Sequence, residues 1–156
     1  MVWGRISKAG RLSLIFIDKV AKVNTDFYMN HVLKAVFVPG AEELFGDSHW
    51  FFQQDFAPAH KAIKTQKFCA DAFPGFISSN EWPASSPDLN LSDFSIWGYM
   101  LKQLKVKNGL TVENFKRQLT KILNEIPEEY VSKACDSFIG RCQCVIDACG
   151  ERIEMR

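Results

Sequence analysis

The run HWFFQQDFAPAH, residues 49–60, constrains the fold more than any other stretch of the chain. Trp50, Phe51 and Phe52 form a continuous aromatic block, too short for a helix and of the kind found in a strand covered on both faces. The block then ends on a carboxylate, Asp55, and turns through Pro58 and His60 into a basic segment. A strand that finishes on an acid sets that acid at the rim of a sheet, where α/β folds carry polar groups on loops that the sheet holds in place.

The surrounding segments supply such a sheet. VWGRIS (2–7) and RLSLIFID (11–18) are β-rich and split by a glycine-containing turn, which predicts a hairpin. NTDFYMNHVLKAVFVPGAEELF (24–45) spaces Phe27, Val32, Leu33 and Val36 as a helix behind an Asn24 or Thr25 cap, with Pro39-Gly40 predicted to interrupt it. HKAIKTQKFCADAF (60–73) predicts a helix closed by Pro74-Gly75, and GFISSNEW (75–82) a further strand. Alternation of strand and helix predicts an α/β fold, a mixed sheet flanked by helices. After the proline-punctuated loop PASSPDLNLSD (83–93), the predicted elements are all helical. Phe94, Trp97, Leu101 and Leu104 recur on one face, Val112, Phe115, Leu119, Ile122 and Ile126 on a second helix, and residues 127–150 form a third between Pro127 and Gly150. Trp82 and Trp97 are assigned to the core.

With 156 residues, 47% hydrophobic and 13% aromatic, the chain has the size and apolar content of one folded domain, 1–156. Its net charge of +1 supplies no global field for nucleic acid, so any basic footprint is local. No apolar run approaches the length of about 18 residues that a membrane span needs, and the start lacks a signal-peptide layout, so an intracellular location is expected. Cys135, Cys142 and Cys149 recur every seven residues with Phe138, Ile139 and Ile146 between them, which reads as one buried helix face of free thiols rather than a zinc site.

Asp55 ends one predicted strand and Asp93 opens the helix after the next, so both acids are placed at one edge of the sheet. Two carboxylates without cysteine or paired histidine ligands suit Mg²⁺ or Mn²⁺, because hard cations take oxygen donors, and point to metal-assisted phosphoryl transfer. Read as isolated residues, the same aspartates serve equally well as turn and cap groups. His60 is balanced between a contact to metal or phosphate and a capping or packing group. Lys61, Lys64 and Lys67 lie three apart beyond Asp55, and Lys102, Lys105 and Lys107 lie beyond the Asp93 helix. They are candidate phosphate contacts, with a solvated face as the commoner role for such spacing.

QQDFAPAH (53–60) followed by EWPASSPDLNLSDFSIWGYMLKQL (81–104) resembles the catalytic domain of mariner/Tc-type transposases, whose motifs run close to Q-D-N-A-P-x-H and W-P-x-x-S-P-D-L-N-P-x-E/D-x-x-W. IPEEYVSKACDSFIGRCQCVIDACG and VWGRIS…LIFID are similar to the family's closing helix and opening hairpin. The resemblance implies a ribonuclease-H-like fold in which three acids bind two divalent metals for DNA strand cleavage and joining. It maps the second acid to Asp55 and the third to Asp93, with Asp88 as competitor for the third. Asp93 is preferred because it stands four residues before Trp97, as the family's ligand does before its aromatic, whereas Asp88 organises the turn after Pro87.

The family's first acid lies on a strand upstream of the hairpin matched by residues 2–18. The expectation is therefore an N-terminally truncated catalytic domain, with its first strand missing and weak or no metal binding, inactive in strand cleavage by itself. Asp18 is a poor substitute. Phe56 and Leu91 depart from the family's usual Asn and Pro, removing a polar neighbour of Asp55 and loosening the approach to Asp93. The resemblance also implies DNA as partner through parts that the matched residues do not include, a homodimer and a nuclear location. A non-catalytic transposon remnant, a co-opted DNA- or protein-binding module and a truncated gene model are the alternatives.

Overall fold

Chain geometry follows the hydrophobic pattern most closely where helices pack on the hairpin. The computed structural model describes all residues except 12, 13, 19, 106–109 and 154–156, together with the side chain of Arg11. Lys107 lies outside the described residues. The chain forms two compact units, one from Met1–Phe16 with Ser86–Arg156 and the other from Ile17–Ser85.

In the first unit the hairpin is made of two antiparallel ladders. Strand β1 (Val2–Trp3) pairs with β4 (Ile15–Phe16), and β2 (Ile6–Ser7) with β3 (Gly10–Arg11). Gly4 lies between β1 and β2, where a Cβ would come within 2.7 Å of Leu14 Cδ2 and 3.4 Å of Trp97. A Cβ there would displace the end of the Leu14 side chain. The core of this unit joins Leu14 to Ile96, Met100, Leu119, Leu123, Ile126 and Val131.

The helices supplying it are a π-helical turn, π2 (Ser92–Ile96), running into α4 (Trp97–Gln103), then α5 (Val112–Glu125) and α6 (Glu128–Asp147). The Thr111 side chain caps α5 by accepting the Asn114 N–H, and Pro127 turns the chain directly into α6. Lys8 near the hairpin turn and Asp136 on α6 form an exposed ion pair at 2.6 Å. The expected apolar face of α4 is corrected: Met100 is buried, whereas Leu101 is 66% exposed. The π turn holds an extra residue in its hydrogen-bonded ring, so the simple three-and-four spacing from Phe94 no longer tracks one face. The expected buried face of α6 is corrected too. Val131 and Ala134 meet the core, with Cys135 packed beside it, while Ile139, Ile146 and Cys149 are exposed.

The second unit opens with a continuous helical run: α1 (Thr25–Phe27), π1 (Tyr28–Phe37) and α2 (Val38–Phe45). The Asn24 side chain accepts the Phe27 N–H at 2.9 Å, fulfilling the expected cap. Pro39-Gly40 does not interrupt this run as expected. The Val38 N–H reaches back five residues to the Leu33 carbonyl, and Pro39 takes an opening position of α2, where a missing N–H is tolerated. The run is followed by β5 (Phe51–Phe52), α3 (Ile63–Ala72) and β6 (Gly75–Phe76), and its Phe37 meets Trp50 just before β5, Phe52 within it and Phe73 at the end of α3, with ring centres 4.4–5.9 Å apart.

Strands β5 and β6 pair in parallel across the α3 crossover, Phe51 opposite Gly75 and Phe52 opposite Phe76. Gly75 is required there, since a Cβ would stand 2.7 Å from the Phe51 ring and 2.9 Å from the Trp50 carbonyl. The aromatic strand is covered on one face only, a correction to the two-sided expectation. Phe52 is buried and Phe51 is 66% exposed, because the side chains alternate and packing partners meet only one of the two faces. Helix α3 begins at Ile63 rather than His60, and β6 stops at Phe76, where Ser78 and Glu81 form a hydrogen-bonded turn.

Candidate active site

Asp55 stands three residues beyond β5, and the chain corner is built around its carboxylate. Oδ1 accepts the Ala57 N–H at 3.1 Å and a hydrogen bond from His60 Nδ1 at 2.5 Å. The carbonyl of Ala57 accepts the N–H groups of His60 and Lys61, so the corner tightens into helical turns immediately after Pro58. Among the described residues no protein donor meets Oδ2, and the carboxylate is half exposed. The His60 hydrogen bond holds the Asp55 carboxyl below the usual carboxylate range, with the charge of His60 and the Ala57 N–H acting the same way against a burial that raises it. Asp55 is thus an anion with one oxygen pinned and one open to solvent.

His60 is fixed in turn. Its ring lies 4.3 Å from that of Tyr28 between centres, and its carbonyl accepts from both Gln54 Nε2 and Gln66 Nε2 at 3.1 and 2.9 Å. The buried Tyr28 hydroxyl donates to Gln54 Oε1 at 2.9 Å, and the buried Thr65 hydroxyl to the Ala59 carbonyl at 2.8 Å. Sequence reading overlooked Tyr28, Gln54, Thr65 and Gln66. Gln54 alone had a signal: in a strand with alternating sides, it points away from Asp55 and into the core.

Of the basic residues, Lys61 lies over the Phe56 ring at 4.8 Å, Lys64 pairs with Asp26 at 2.6 Å and Lys67 with Asp71 at 3.5 Å. All three stand near the corner, but two carry an acidic neighbour. Such exposed pairs are weak and exchange readily for a phosphate.

Asp93 lies in the other unit, exposed on π2. Its N–H and that of Phe94 both donate to the Asn90 carbonyl, while the Asn90 side-chain amide donates to Asp93 Oδ2 at 2.8 Å. The Trp97 N–H reaches back to the Ser92 carbonyl, closing the wide turn that carries the acid. Such turns recur where helices carry function. Asp88 has a different employment: its carbonyl accepts from Arg141 Nη1 at 3.0 Å and its carboxylate from the Ile153 N–H at 3.4 Å. Asp18 is exposed, and its carbonyl closes a turn with the Ala21 N–H.

Each acid, taken in its own unit, offers the oxygen donors that hard cations take. Asp55 keeps a free anionic oxygen, and Asp93 an exposed carboxylate next to an amide that orients it. Among the described residues no three His, Cys, Asp or Glu side chains form a ready-made cage. Mg²⁺ in particular is commonly held by one or two carboxylates together with waters and substrate phosphates.

No protein-family model matches the chain. It is 29% identical over 151 residues to the Tcb2 transposase and 30% identical over 151 residues to the Tcb1 transposase, both of Caenorhabditis briggsae; each match takes in 96% of this chain and 52% of the relative. The chain thus spans about half the length of the curated relatives it matches. Among solved structures, the catalytic domain of Mos1 transposase with Raltegravir and Mg is similar at a TM-score of 0.80 and 19% identity, covering 98% of this chain and 75% of that one. A Mos1 paired-end complex with the left transposon end is similar at 0.82 and 18% identity, covering 98% of this chain and 44% of that one. The fold is therefore that of the Mos1 catalytic domain, an α/β ribonuclease-H-like fold with a helical C-terminal part.

Proposed function

We propose, for a chain homologous over nearly its whole length to the Tc1/mariner transposases, that Asp55 and Asp93 are each metal-binding carboxylates in DNA strand cleavage and joining. The observation that carries this reading is the Asp55 corner, where the strand end, the Ala57 N–H and His60 all converge on one carboxylate oxygen and leave the other open. The Mg named with the Mos1 catalytic domain supports a divalent cation here, and the transposon end named with the paired-end complex supports DNA as substrate and a paired assembly of two copies.

When bound, Mg²⁺ or Mn²⁺ supplies Lewis-acid stabilisation of a phosphate undergoing in-line displacement. The side chains have simpler tasks. Asp55 and Asp93 offer anionic oxygens, His60 fixes the Asp55 carboxylate by donating from Nδ1, and Asn90 orients Asp93. Lys61 and Lys64 are placed to meet backbone phosphates once Lys64 leaves Asp26. His60 is occupied with Asp55, so its role is to position that carboxylate rather than to grip phosphate.

On this reading Asp55 and Asp93 answer to the second and third of the family's three acids, and the first belongs to a strand upstream of the hairpin. The 156 residues by themselves are accordingly expected to bind Mn²⁺ weakly and to leave supercoiled DNA intact. A plasmid-nicking assay with Mg²⁺ or Mn²⁺ tests this. Metal-dependent nicking that disappears in Asp55→Ala and Asp93→Ala would show an active site complete without a further acid. A nuclear location belongs to the same reading; no helix among the described residues is long and apolar enough to cross a membrane.

A further inference from the structure

We infer that Arg141, on α6, is a positioning residue for Asp93; the inference rests on the reading of Asp93 as a metal ligand. Arg141 Nη1 donates to the Asp88 carbonyl at 3.0 Å, and its guanidinium carbon lies 3.8 Å from the centre of the Phe94 ring. Phe94 is the residue next to Asp93. One guanidinium therefore grips the backbone before the Asp93 turn and the side chain just after it.

Between those two grips the corner is wound tightly. The Leu89 N–H donates to the Ser86 carbonyl at 3.1 Å and the Asn90 N–H to the Pro87 carbonyl at 3.2 Å. Asn90 then accepts from Asp93 and Phe94 with its carbonyl and donates to Asp93 Oδ2 with its side chain. Anything that shifts Asp88 relative to Phe94 shifts Asn90, and with it the carboxylate. Leu91, in the middle, leaves the backbone without the fixed φ that a proline would impose, so the restraint comes from outside the loop.

The chemistry of Arg141 also argues against simple packing. Its Nε is buried with no hydrogen-bond partner among the described residues. An apolar side chain of similar length would fill the space without that orphaned donor, but could neither hold the Asp88 carbonyl nor stack its cation on Phe94. Only a planar fork does both at once. Groups that orient a metal ligand from behind commonly change metal affinity by about 10- to 100-fold when removed.

The test uses the full chain and Mn²⁺, with binding followed by electron paramagnetic resonance. Arg141→Met keeps the stem and removes the fork; it is expected to weaken Mn²⁺ binding about tenfold. Arg141→Lys keeps the cation but has no fork, so it can serve one of the two grips and not both; it should recover only part of that loss, a partial rescue that a space-filling role would not produce. Phe94→Leu removes the stacking partner and serves if Arg141→Met fails to fold; it should weaken binding in the same direction. The wild-type affinity persisting in Arg141→Met, or in Phe94→Leu where that variant is the one that folds, would overturn the inference and leave Asp93 as ligand. Mn²⁺ binding that Asp93→Ala does not alter would instead overturn the reading of Asp93 and the role of Arg141 with it.

Discussion

Asp55 concentrates the chemistry of its unit, and its environment sets a measurable pH dependence. The hydrogen bond from His60, above all, holds its folded-state pKa below the unfolded value. Stability from this interaction is then present above the unfolded-state pKa and is lost as pH falls through the folded-state value. Asp55→Asn should flatten the acid limb of the stability profile, read as thermal midpoints between about pH 3 and pH 7. An unchanged acid limb would mean the pair contributes nothing, as many half-exposed pairs do. Behind it, Tyr28→Phe removes the donor to the buried Gln54 Oε1 and should cost about 1–3 kcal/mol in urea unfolding. The acid and the histidine were legible because QQDFAPAH places them five residues apart in one corner. Tyr28 was not, since it stands 26 residues before Gln54 and its spacing marks it only as a helix-face residue.

Elements were legible where a single period governs them and obscure where the period changes. Helix α5 follows its apolar spacing at Phe115, Leu119, Ile122 and the following Ile126, with Leu123 buried beside them, whereas Val112 at its start is 72% exposed. Helix α6 does not follow its cysteine spacing, because Val131 and Ala134 meet the core while Ile139 lies 74% exposed. A pair of substitutions measures the difference. Leu123→Ala should cost about 2–5 kcal/mol by cavity formation, and Ile139→Lys should stay within about 0.5 kcal/mol of the parent, both by chemical denaturation. Equal costs would contradict the packing described for this unit. The π turns are the other source of difference: π1 carries the helix past Pro39, and π2 turns Leu101 outward while presenting Asp93. Neither leaves a simple sequence signature, as a hydrogen bond to the fifth residue back depends on backbone winding rather than on any one side chain.

At the scale of the whole molecule, a net charge of +1 gives no general affinity for nucleic acid, and the basic residues beside Asp55 are partly matched by Asp26 and Asp71. Recognition of DNA would therefore be local and salt-sensitive. Lys61→Ala and Lys64→Ala should each lower the slope of log affinity against log salt by about one in fluorescence anisotropy, with no change of sequence preference. The ribonuclease-H-like class was legible from two motifs that bracket Asp55 and Asp93, whereas the division into two compact units had no linker-like composition to announce it. The central claim is that Asp55 and Asp93 are both metal-binding carboxylates. Mn²⁺ affinity tests it most directly, with wild type, Asp55→Ala and Asp93→Ala compared by electron paramagnetic resonance. Each single substitution is expected to weaken Mn²⁺ binding. An affinity that either substitution leaves unchanged would contradict it.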